Sequence, residues 1–196
     1  MAAAIPAPVI IEPSGNWIGI DGNWSSFLIS VGTPAQSFVT LPATGVNAIW
    51  IPLSEGCDNP PSSVSDCGAS RGVLASSGFE ADGFAANVSS TWEQIGLYEL
   101  PLDRHLFDQE QYGLFGMDSL SLGGSQFPPL QNQVVSGVSS VDLWTGSIGL
   151  GTGLTHISDT NVSSLLVSMK DAELIPSLSY GYTAGASYSE YGIASK

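Results

Sequence analysis

Basic residues are nearly missing from this sequence: four Lys and Arg stand against eighteen Asp and Glu, giving a net charge of −14 and a pI near 4.1. Such a surface repels phosphate backbones and anionic lipid headgroups, which argues against nucleic acid as a partner. It favours solubility near neutral pH, and its self-repulsion eases as carboxylates protonate in acid. Charged residues of either sign make up only 11%. With the helix formers Lys, Arg and Glu so scarce, a helix-rich fold is not expected. No apolar run approaches the roughly 18 residues of a membrane span. Met1–Pro8 lacks the basic n-region and long h-region of a complete signal peptide. The only histidines are His105 and His156. They are too few for a His-rich metal cluster, so neither a metal nor another cofactor is expected.

Cysteine is scarce too. Cys57 and Cys67 stand ten positions apart in a Pro/Ser-rich loop. A pair so isolated reads as one loop-closing disulfide formed in an oxidising compartment, the alternative being two free thiols. Asn-x-Ser sequons begin at Asn23, Asn87 and Asn161. Three glycosylation acceptors beside a disulfide favour the secretory route, and so an extracellular or cell-surface location.

What the chain holds in quantity is apolar residues, at 43%, with 23 glycines and 12 prolines among its 196 residues. That suffices for one substantial core crossed by many turns. Short β-type runs occur at Phe27–Val31, Phe38–Leu41 and Ala48–Ile51, broken by Gly32-Thr33-Pro34 and Thr44-Gly45. Others lie at Ile95–Leu102, Gly113–Leu122, Val134–Val141 and Ser147–Leu150, while Ser54–Gly83 reads as loop. One stretch is helical. In Val162–Leu174 the residues Val162, Leu165, Leu166 and Met169 fall near a 3.6-residue period, with Asn161 or Asp159 as cap and Pro176 past the end. The pattern predicts an all-β domain over 16–186 with one or two short peripheral helices, a flexible arm over 1–15 and a tail over 187–196.

Generic catalytic patterns carry little. Gly68-Ala69-Ser70-Arg71-Gly72 fits the G-x-S-x-G of a hydrolase elbow, but the loop before it is no buried strand. Gly149-x-Gly151-x-Gly153 lacks both the spacing and the βαβ setting of a dinucleotide loop.

More specific is an ordered series of short segments. Phe27–Gln36 reads FLISVGTPAQ, and eleven positions after Gly32 comes Ala43-Thr44-Gly45-Val46-Asn47, then Ala48-Ile49-Trp50-Ile51-Pro52. Ser90-Thr91-Trp92, Gly113-Leu114-Phe115-Gly116-Met117-Asp118, Leu122-Gly123-Gly124 and Gly146–Gly151 follow, and Leu174–Tyr180 closes the series. In this order, over roughly 24–182, they resemble the N-terminal lobe of pepsin-like aspartic proteases. The resemblance implies that lobe's fold, with a buried psi-like crossing of strands around Thr44-Gly45. It places the family's first small disulfide at Cys57–Cys67.

The family's chemistry needs two aspartates, one from each lobe, sharing a proton and activating a water between them. Where the first should stand this chain has Ala43, and no D-[ST]-G occurs elsewhere in it. Val46 replaces the serine that supports the aspartate. The interval Glu93–Tyr112 lacks the flap's Tyr-Gly pair near the expected place. A working aspartate elsewhere, at Asp21 or Asp118, would lack the Thr-Gly turn. The expectation is therefore a pseudoprotease lobe with no catalytic residue, whose cleft comprises Ala43, Thr44, Gly45, Val46, Asn47 and Leu102. Its partner would be an extended peptide or protein ligand, with a second lobe or a homodimer as further possibilities. The competing expectation is an active aspartic endopeptidase of which this chain is a mutated or truncated part.

Overall fold

A computed structural model of the chain describes residues 6–19, 22–60, 62, 64–75, 82–102, 111–123 and 128–185. Strands β1 (Pro13–Ile18), β2 (Trp24–Val31), β3 (Gln36–Ala43), β4 (Ile49–Pro52) and β5 (Val73–Leu74) come first. Then follow β6 (Glu93–Glu99), β7 (Tyr112–Leu122), β8 (Leu130–Val138) and β9 (Gly146–Gly149). These nine form one sheet, ordered β1-β2-β3-β9-β4-β8-β7-β6, with β5 on β3. An additional β2–β7 pairing, Ile29 to Leu122 and Val31 to Leu120, closes β2-β3-β9-β4-β8-β7 into a ring. Closure leaves those six strands without a free edge. A separate hairpin, β10 (Leu154–Ile157) with β11 (Thr160–Ser163), precedes the longer of two short helices, α1 (Cys67–Ser70) and α2 (Leu165–Asp171). The chain is all-β. None of its described helices is long and apolar enough to cross a membrane.

The strands that follow each other in sequence as β3 and β4 do not pair. β9 lies between them, parallel to β3 and antiparallel to β4. A Cβ at Gly149 would lie 2.4 Å from the carbonyl oxygen of Ala48, so only glycine lets β9 enter this slot. The connection crossed in this way is exposed at Thr44 and Gly45, where a buried crossing was expected. Those two residues form the outer turn, and burial begins at Ala48 and Ile49.

Alternation along β2 and β3 sends Ile29, Val31 and Phe38 inward to meet Ile49, Ile51, Leu120 and Val135, none more than 1% exposed. Each such side chain contributes about 1.5–3 kcal/mol by leaving water. Helix α2 caps this core with Leu165, Leu166 and Met169. A second cluster holds Leu100, Phe115, Val134, Val138 and Ile157, with Trp50, Leu102 and Leu143 packed against it.

Three sequence-based boundaries shift. The helix begins at Leu165 instead of Val162, because Thr160–Ser163 is claimed by the β10–β11 pairing. Its cap is Ser164, whose Oγ accepts the N–H of Val167, and neither Asn161 nor Asp159. The arm is shorter: Pro13 already pairs with Phe27, and Val9 and Ile11 pack on the main core. The Ser54–Gly83 loop contains α1 and β5. Part of it, like the tail from 187 onward, lies outside the described residues.

Cys57 and Cys67 are joined, with Cα atoms 5.7 Å apart, which removes the free-thiol alternative. Serine at both positions is expected to lower stability by about 3 kcal/mol, the loop-entropy value for so short a ring. Urea denaturation of the double variant, read against the parent, checks this. Asn23, Asn87 and Asn161 are all exposed, as glycan acceptors must be.

Candidate functional site: an aromatic groove over Ala43

The C-terminal ends of β3 and β9 run side by side and parallel, Ala43 opposite Gly149. Beside them opens a groove of about 470 Å³. Leu41, Pro42 and Ala43 line it, together with Trp24, Trp50, Trp144 and Tyr182. Trp24 enters from the end of the β1–β2 hairpin and is 49% exposed. Tyr182, 40% exposed, is held by its hydroxyl 2.8 Å from Ser25 Oγ and by an edge contact with Phe27.

The remaining wall is the loop before β9, and it is pinned at several points. Trp50 Nε1 donates to the carbonyl of Thr145 at 3.2 Å, and Trp144 Nε1 donates to that of Ser70 at 2.9 Å. Behind Trp144 lies Arg71, fully buried, its guanidinium 5.7 Å from the ring centroid. Asp142 lies on this loop, exposed, with Gln111 Nε2 donating to its Oδ2 at 3.1 Å. Among the described residues Asp142 is the one carboxylate lining the groove.

Of the six residues assigned to a cleft, Ala43 lines this groove. Asn47 turns to the far side of the strand connection, where Nδ2 donates to Leu154 O at 3.1 Å and Oδ1 accepts Gly153 N–H at 3.2 Å. Val46 accepts Gly151 N–H through its carbonyl at 2.9 Å. Both therefore clasp the 151–154 segment. Thr44 and Gly45 point to solvent. Leu102 packs in the second core cluster beside Trp50 and Leu143, two residues that line the groove themselves. The sequence reading missed Trp24, Trp144 and Tyr182.

Asp118, the other described aspartate weighed for a catalytic role, is bound up in local structure. Asp118 is 1% exposed and accepts three hydrogen bonds: Ser89 Oγ donates at 2.8 Å, Ser119 N–H at 2.8 Å, and Thr91 Oγ1 donates as well. Asp21 and His105 lie outside the described residues. Ser70 donates to Cys67 O at 2.8 Å and follows a helical turn instead of preceding a helix, so no nucleophile elbow exists there.

At the floor of the groove, then, stands a methyl group. No protein-family model matches the chain, and no curated protein is detectably similar to it. Its chemistry rests on its own residues. Among the described residues the groove offers ring faces, backbone carbonyls, hydroxyls and one carboxylate, a set suited to binding.

Proposed function

We propose that this chain is a non-catalytic lobe of the pepsin-like type, secreted or held at the cell surface, whose groove over Ala43 binds an extended peptide or a protein partner. The observation that carries the proposal is the pairing of an open, aromatic-walled groove with an alanine at its floor. Large exposed aromatics are costly to leave in water and are typical of recognition surfaces. The secretory setting is supported by the disulfide and the exposed sequons.

The competing reading, an aspartic endopeptidase mutated or truncated in this chain, draws on the ordered motif series from Phe27 to Tyr180. One measurement puts the binding reading at risk. The purified chain is expected to show no pepstatin-sensitive cleavage of casein or haemoglobin at acidic pH, and such cleavage would overturn the binding reading. A panel of extended peptides is expected to quench tryptophan fluorescence. Trp24→Ala should weaken that binding about tenfold, as loss of one aromatic anchor does.

A further inference from the structure

We propose that the groove selects a basic side chain, lysine or arginine, of its extended peptide, with Asp142 as the charge partner; this rests on the peptide-binding reading above. The indole N–H groups of Trp50 and Trp144 are already committed to Thr145 O and Ser70 O. What those rings offer a ligand is their π surface. Flat apolar faces beside a carboxylate match an amphipathic cation, whose methylene stem lies along the rings while its head reaches the acid.

Asp142 makes the choice between a cationic and a neutral guest. Its Oδ2 accepts from Gln111 Nε2, a neutral donor, and among the described residues no cation pairs with it. An apolar guest covering Asp142 would strip water from a charge and return nothing, whereas an ammonium or guanidinium offsets that cost. The whole chain, at −14, adds a field that concentrates cations at such a cleft. Arg71 narrows the placement. Its fixed charge behind Trp144 disfavours a second cation over that ring. The head group therefore belongs at Asp142, and Trp144 is left to the stem.

The test uses the unmodified chain and a set of octapeptides identical except for one central residue: lysine, arginine, norleucine or citrulline. Binding is read by tryptophan quenching at low and high salt, with a neutral oligosaccharide as a further probe. Lysine and arginine peptides are expected to bind about tenfold tighter than their neutral counterparts, with the margin shrinking at high salt. Asp142→Asn should cut that preference to about threefold or less, weakening the lysine and arginine peptides and strengthening norleucine binding, since no charge is left to desolvate. Equal binding of lysine and norleucine peptides by the unmodified chain would overturn the basic-residue proposal and leave peptide binding intact. Binding of the oligosaccharide but of no peptide would overturn both, and so would binding of neither.

Discussion

Replacing Arg71 with methionine is expected to cost about 4 kcal/mol and to lower the melting temperature by roughly 12 °C. The residue is fully buried, and it spreads its guanidinium over three carbonyls: Nε to Trp144 at 3.2 Å, Nη1 to Leu53 at 3.2 Å and Nη2 to Val138 at 3.0 Å. These come from three separate stretches of chain. Methionine fills most of the volume but leaves the Trp144 carbonyl without this donor and halves the bonding of the other two, which also accept Gly56 N–H and Leu53 N–H. Burial lowers the pKa of Arg71 from its ordinary value. An arginine nonetheless remains protonated throughout the working range, so the loss should not vary with pH there. Lysine should recover little, because one ammonium cannot span three divergent acceptors. Gly56 is tied to the same site: a Cβ there would fall 1.8 Å from Arg71 Nη1. Thermal melts of Arg71→Met, Arg71→Lys and Gly56→Ala check the set. A melting temperature unchanged in Arg71→Met would show that the carbonyls are satisfied without it.

Asp118→Ala should be comparably damaging, at about 4 kcal/mol, because it strands buried donors that now share one carboxylate. Two of those donors, Ser89 and Thr91, belong to one loop, and Ser89 Oγ also accepts the N–H of Thr33 at 3.1 Å. Ser90 N–H in turn reaches Thr33 O at 2.8 Å. Asp118→Asn keeps an acceptor for Ser119 N–H and should lose only about 2 kcal/mol. Guanidinium denaturation of the two variants gives the comparison, and an equal loss in both would mean that the charge, and not the acceptor count, matters.

That cluster explains what the sequence made legible. Gly32-Thr33-Pro34, Ser89-Ser90-Thr91 and Asp118 look like scattered short matches along the chain. In the fold they are one hydrogen-bonded assembly. Gln36 acts similarly: its amide exchanges two bonds with the backbone of Ala85, at 3.1 and 2.8 Å, across a gap of 49 residues. Residue types fixed by such exact bonding stand out in a linear reading, and so do the alternating apolar runs that became β2, β3, β7 and β8. The β10–β11 hairpin did not stand out, because its turn places Ser158 at a φ of 52° where asparagine or glycine would have signalled it. The groove was the least legible part. Trp24, Trp50, Trp144 and Tyr182 share no local pattern, and only the closed sheet brings them together. Asn47 misled for the opposite reason, since its place in a recognisable motif pointed to the cleft while its amide serves the backbone behind it.

The insertion of β9 between β3 and β4 has a consequence for how the protein is made. About a hundred residues leave the ribosome between the two sides of that slot and the strand that fills it. Until Gly146–Gly149 emerges, β3 and β4 have no common neighbour in the sheet. Closing so distant a contact is slow, because the entropy of the intervening chain must be given up first.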